Sequence, residues 1–260
     1  MLCAVVVWGV TQLHDIVYMV YSGHSSIMTF NATTHQRLTD INVKDLRLPS
    51  DIVACPQTSQ LYITDKFYDD ECIWRLSADG ADIKRWWSKT SSDTFDPRTL
   101  SVTSTRLLVT SGHADQLMQL DAVGNELRRV QLPDYMKRRH AVESPTGTFI
   151  VSHNTQLAVC QVSEVNTGGE VLRHFSGSRL ASLGRPHRHI AVDSYGNIFV
   201  ADHSNRHILL LDAQLKLRRV IIDEHQLNYD EPRRLCYVEH TGQLLVALLK
   251  RVAVFDVLRR

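Results

Sequence analysis

An internal repeat of about 45 residues constrains the fold of this 260-residue chain more than any other feature. The segments "GNIFVADHSNRHILLLDAQLKLRRV" and "TRLLVTSGHADQLMQLDAVGNELRRV" align along their length, and four further segments follow the same pattern. Equivalent positions lie 43, 46, 42, 49 and 46 residues apart and are occupied by Ser22, Asp65, Ser111, His153, Asp202 and Leu248. Regular spacing of this kind indicates one supersecondary unit repeated six times.

Each copy contains short runs of Val, Ile, Leu, Tyr and Phe separated by Gly, Asp, Ser and Asn, a pattern typical of strands joined by tight turns. No stretch keeps a helical period over a dozen residues. The repeat length favours an all-β fold, a six-bladed β-propeller of four-stranded antiparallel blades. We predict one domain over residues 1–260, with blades at approximately 6–43, 51–87, 98–131, 139–175, 188–222 and 233–260.

One blade also carries a family motif. The segment "PHRHIAVDSYGNIFVADHSNRHILLLD" resembles an NHL repeat, and the residues in the motif positions are Pro186, Ile190, Asp193, Gly196, Val200, Asp202, Asn205, Arg206 and Ile208. "PSDIVACPQTSQLYITD" is a fair second match, whereas the other blades keep only the spacing and the apolar positions. The resemblance implies a non-catalytic recognition domain, similar to the C-terminal NHL domain of TRIM-NHL ubiquitin ligases.

The last blade departs from the pattern because no outer strand follows "VAVFD", so we predict three strands there. Residues 6 to 11 are already needed as the first strand of blade one. Either residues 1 to 5 bridge the gap imperfectly, or preceding residues of a longer protein complete the ring. We expect the second arrangement.

The composition indicates the class of protein rather than its ligand. The chain is 43% hydrophobic and has a net charge of +1, which does not indicate a basic arm or an acidic tail. Its five cysteines are scattered without zinc-binding spacing. The apolar start "MLCAVVVWGV" lacks a basic segment and is about half a membrane span. We therefore expect a cytoplasmic protein with reduced thiols, no cofactor and no membrane partner.

The loops that lead into the innermost strands are basic. They contain Arg98, Arg138, Arg139, Arg188, His189, Arg233 and Arg234. Because the repeat places these loops around one channel mouth, a ring of positive charge is expected there, suited to phosphates, an acidic peptide or single-stranded RNA. The alternative is that the arginines pair with acids on neighbouring loops and only hold blades together.

Other basic and aromatic residues have structural alternatives. Basic pairs recur on the outermost strands, where charge prevents pairing with another chain: Lys84-Arg85, Arg128-Arg129, Arg173-His174 and Arg218-Arg219. Trp86 and Trp87 end the outer strand of blade two and point to opposite sides of it. One is expected to be a partner-binding anchor, unless both pack between blades.

The loops between second and third strands contain His24, His113, His153, His203 and His207. Three neutral imidazoles converging on a channel bind zinc, so a metal-dependent lyase or hydrolase of the amidating-lyase or gluconolactonase-like propeller type is the alternative function. Glu143 is the only obvious acid that the innermost strands direct toward the channel, which is too few for a site that binds a hard cation, and no catalytic motif appears. We predict no catalytic or metal site and no small-molecule substrate. A protein is the expected partner, with single-stranded RNA as the second class.

Overall fold

The structure, a computed structural model, describes residues 6–67, 70–90, 92–155, 160–175 and 189–257, with only the backbone of Arg138, Arg139 and Cys160. These residues form 23 strands in six antiparallel sheets and no helix. The predicted all-β, six-bladed β-propeller is confirmed. None of the described segments forms a helix long and apolar enough to cross a membrane.

The first compact unit comprises Met1–Ala114 and Met118–Arg129 and contains blades one and two and most of blade three, whereas the start of β11 and the end of β12 belong to the second unit. Strands within a blade are consecutive and hydrogen-bonded in sequence order. Blade one contains β1 (Val7–Leu13), β2 (Ile16–Tyr21), β3 (Ser26–Asn31) and β4 (Ile41–Asn42). Blade two contains β5 (Pro49–Cys55), β6 (Gln60–Asp65), β7 (Cys72–Ser77) and β8 (Ile83–Ser88). Blade three contains β9 (Pro97–Thr103), β10 (Arg106–Ser111), β11 (Gln116–Leu120) and β12 (Glu126–Gln131).

The second compact unit comprises Asp115–Leu117 and Val130–Arg260 and contains blades four to six. Blade four contains β13 (Lys137–Glu143), β14 (Phe149–Asn154), β15 (Cys160–Val165) and β16 (Val171–Phe175). Blade five contains β17 (Ile190–Val192), β18 (Ile198–Asp202), β19 (His207–Leu211) and β20 (Leu217–Ile222). Blade six contains β21 (Arg234–Val238), β22 (Gln243–Ala247) and β23 (Val252–Asp256), so within the described residues it has the predicted three strands.

Burial explains the strand pattern within each blade. The second strands are almost wholly buried because both sheet faces pack against apolar side chains, whereas the fourth strands carry exposed charges. In the first unit Leu61 and Ile63 of β6 belong to one core cluster, and in the second unit Val200 and Leu209 belong to another. The cores therefore consist of side chains stacked between neighbouring blades of the same unit.

Aspartates hold several of the tight turns. Asp193 accepts hydrogen bonds from the backbone N–H groups of Tyr195 and Asn197, and the intervening Gly196 has a φ of +81°. Asp121 and Asp212 bind their own turns in the same way. The Asp and Gly residues of the repeat thus fulfil the turn role that their composition predicts.

Several outer-strand arginines pair with acids, and Arg129 on β12 makes the most such bonds. Single carboxylate partners are bound by Arg85, Arg173 and Arg218. The Arg129 guanidinium donates to both carboxylate oxygens of Asp93 at 2.9 and 2.6 Å and also to Glu126, and it lies 5.3 Å from the Phe95 ring. Hydrogen bonds from Arg129 hold the pKa of Asp93 below its usual range. Arg129 therefore connects β12 to the segment before β9 and is more than an edge charge.

Candidate functional site

In four blades, one position at or directly before the first strand carries a polar or small residue that contacts the next blade of the same unit. In the first unit Asp51 accepts a hydrogen bond from Leu100 N–H at 3.0 Å, and a Cβ at Gly9 would lie 2.7 Å from the Ile52 nitrogen. In the second unit His140 Nδ1 accepts from Ile190 N–H at 3.3 Å, and His189 Nδ1 accepts from Leu235 N–H at 3.2 Å. This position therefore links adjacent innermost strands within each unit.

The rings of His140 and His189 are stacked, with centroids 3.6 Å apart and an angle of 27° between their planes. Burial, reinforced by the positive charge of Arg234, holds the pKa of His189 well below its ordinary value. Each ring accepts a backbone N–H at Nδ1, and a neutral ring in this arrangement has its own proton on Nε2. Through these two acceptor bonds, each ring is connected to the backbone of the next blade in the same unit.

The side chains of the predicted basic ring lie in different environments. Arg98 is half-buried beside Asp96, since a Cβ built on Gly112 would touch both side chains. Arg233 is half-buried, with Nη2 3.5 Å from Glu231. His189 and Arg234 are buried, at 6% and 8% exposure, and so lie beneath the loop surface. Arg188 and the side chains of Arg138 and Arg139 lie outside the described residues.

The loop histidines have separate partners. In the first unit His113 Nδ1 lies 2.9 Å from Asp96, and His24 stacks edge-on against Tyr21. In the second unit His153 is buried and bonds Ser163 at 2.8 Å, while His203 lies 2.9 Å from Glu231. Within the described part of the chain, none of the five belongs to a group of three ligand atoms close enough for a metal.

Trp86 and Trp87 are both half-buried and pack between blades two and three. The Trp86 ring lies edge-on to Tyr62 with centroids 4.8 Å apart, and Trp87 lies edge-on to Phe95 at 6.2 Å. This is the inter-blade packing that the sequence offered as the alternative to an exposed anchor.

A further surface, which the repeat pattern does not predict, lies at the start of β1 and β5 and the end of β6; we name it the cation–aromatic surface. The exposed Arg47 guanidinium lies 4.3 Å from the centre of the Phe67 ring, and the Lys66 ammonium lies 4.7 Å from that of Trp8. Buried Asp65 accepts from the backbone N–H groups of Arg47 and Leu48, so the segment before β5 is fixed to the end of β6.

A weak signal for this surface is present in the sequence. Lys66 and Phe67 directly follow Asp65, the repeat position that ends each second strand. Arg47 lies earlier in the loop than the positions aligned with Arg98, which are occupied by Ser50 and Asp51 in blade two. The pairing of Arg47 with Phe67 depends on the bond to Asp65, which the pattern does not show.

No protein-family model matches the chain, and no curated protein matches it. Hydrazine synthase from Kuenenia stuttgartiensis is similar in structure, with a TM-score of 0.67 and 15% identity over 96% of this chain and 83% of that chain. A chain of a nidogen/laminin complex has a TM-score of 0.66 and 15% identity, over 90% of this chain and 85% of that chain. Virginiamycin B lyase from Staphylococcus aureus has a TM-score of 0.65 and 11% identity, over 100% of this chain and 87% of that chain. At these identities the likeness establishes the propeller fold alone.

Proposed function

We propose that this chain is a non-catalytic recognition domain of the NHL type that binds a protein partner through its loop face, the ends where first strands begin and second strands end. The observation that carries the proposal is the cation–aromatic surface of the first unit. There, exposed Arg47 and half-buried Lys66 are stacked on Phe67 and Trp8. Aromatic rings and arginine are the residue types that contribute most to protein interfaces.

The environment of the histidines supports recognition over the metal-dependent alternative. His140 and His189 use Nδ1 to accept backbone N–H groups and stack on each other, so both rings take part in linking neighbouring innermost strands. His113 and His203 each lie beside a carboxylate, an arrangement that also orients metal ligands, and for this reason the metal content has to be measured. We infer a cytoplasmic location and a place in a larger TRIM-NHL-like protein, with single-stranded RNA as the second class of partner.

Site-specific photo-cross-linking in cells tests this proposal. A photoreactive amino acid placed at Arg98 or Arg233 is expected to capture the same protein from both positions. The same amino acid at Arg219, an exposed residue of outer strand β20, is the control and is expected not to capture it. Recovery of RNA instead of protein, equal capture from Arg219, or stoichiometric metal in the purified protein would contradict the proposed role.

A further inference from the structure

Three arginines of the first unit are each backed by an aromatic ring, and two of them also hold a carboxylate. Arg129 lies 5.3 Å from Phe95 and binds Asp93 through two hydrogen bonds. Arg85 lies 6.0 Å from Trp74 and binds Asp70 at 2.6 Å. The ring supports one side of the guanidinium, and its N–H edge stays available for a carboxylate.

The guanidinium of Arg47 is supported by an aromatic ring but has no carboxylate partner among the described residues. This guanidinium lies closest of the three to its ring, 4.3 Å from Phe67, and the residue is exposed. Its neighbour Lys66 adds a second cation over the Trp8 ring. The ring contacts limit the conformations of both cations, which reduces the entropy lost when a ligand binds them.

The chemistry of this surface favours carboxylates over stacked bases. The cations already cover one face of each ring, so these faces are not open for nucleobases to stack on. A planar guanidinium with a free N–H edge binds a carboxylate through two parallel hydrogen bonds. Two adjacent cations match two acidic side chains on one short extended segment.

We propose that the cation–aromatic surface binds an acidic peptide segment of the partner, with one carboxylate on Arg47 and a second on Lys66. This inference rests on the proposed function, since it names the chemistry of the partner at the loop face. An acidic segment explains how a domain with a net charge of +1 attracts an anionic ligand locally. Binding a short acidic segment does not need the large excess of basic residues that is typical of nucleic-acid-binding domains.

Fluorescence polarisation with defined probes tests the inference. The probes are a fluorescein-labelled decapeptide of alternating Glu and Gly, the same peptide with Gln in place of Glu, and labelled decauridylate. At low ionic strength the Glu peptide is expected to bind the protein about tenfold or more tightly than the Gln peptide. Arg47→Gln is expected to abolish that preference, and Lys66→Gln to reduce it. Arg128→Gln, an exposed change on β12 of the same unit, is expected to leave it unchanged.

Several outcomes would overturn the inference: equal binding of the two peptides, equal losses in Arg47→Gln and Arg128→Gln, or decauridylate binding that depends on Arg47 while the Glu peptide does not bind. A thermal melt of each variant checks that it is folded. Arg47→Lys keeps the positive charge but lacks the planar guanidinium, so it separates the effect of charge from that of the paired hydrogen bonds. If the peptide assay fails but cross-linking at Arg98 and Arg233 still captures one protein, only the acidic-peptide inference is contradicted and the proposed function is not. Failure of that capture contradicts the function whatever the peptides do.

Discussion

Replacing Gly169 with alanine is expected to lower the free energy of unfolding by about 3–5 kcal/mol, because two costs add at one position. Gly169 lies in the turn between β15 and β16 with a φ of +90°, a conformation that strains residues with a side chain. A Cβ there would also overlap the backbone oxygen of Gln131 in the same unit. That oxygen belongs to the main chain and cannot rotate away.

Gly147 provides the matched control. It has a φ of +81° in the turn between β13 and β14, and a Cβ there would meet nothing within 4 Å. Gly147→Ala is therefore expected to cost only the backbone strain, about 1–2 kcal/mol. Urea unfolding of both variants measures the difference. Equal losses would show that the turn of blade four does not approach Gln131 as closely as described.

Replacing His189 with asparagine is expected to change how stability depends on pH. Burial first, and the positive charge of Arg234 second, lower the pKa of His189 below its ordinary value, so the folded protein keeps this ring neutral. When the pH falls below about 6.5, the unfolded chain takes up a proton that the folded protein does not. Wild-type stability then decreases by up to about 1.4 kcal/mol per pH unit from this one group.

The asparagine Oδ1 can replace Nδ1 as the acceptor for Leu235 N–H but does not titrate. The stability advantage of wild type over His189→Asn is therefore expected to shrink as the pH falls from 7 to 5. His189→Ala leaves the Leu235 N–H without its acceptor and is expected to cost about 3 kcal/mol at pH 7. An advantage that stays constant with pH would mean that His189, stacked on His140 beside Arg234, is not held neutral.

The sequence predicts most of the fold because the repeat determines strand number, order and register together. The spacing from Ser22 to Leu248 places each second strand correctly, and the short tail after "VAVFD" predicts the three strands of blade six. Asp202 accepts from Asn205, as its turn position suggests. Asp65 at the equivalent position instead binds the segment before its own first strand, because Arg47 and Leu48 present their N–H groups there.

Partner choice among charged residues cannot be read from the repeat. Arg128 and Arg129 are both exposed and adjacent in sequence, yet Arg129 binds Asp93, 36 residues away, whereas Arg128 binds no acid among the described residues. Likewise Arg233 is half-buried and the adjacent Arg234 is buried. These differences arise from tertiary contacts with loops distant in sequence, and a periodic pattern gives the same prediction for every blade. For this reason Arg128 and Arg219, rather than Arg129, are the appropriate controls for charge.

The affinity of the cross-linked partner for charge-neutralised variants tests the central claim most directly. Arg98→Gln combined with Arg233→Gln removes two charges from the loop face, and Arg128→Gln combined with Arg219→Gln removes two from the outer strands. Isothermal titration is expected to show at least about tenfold weaker binding for the loop-face pair and less than about twofold change for the outer pair, with both variants folded. Equal losses of affinity, or unfolding of the loop-face variant alone, would contradict a loop-face recognition domain.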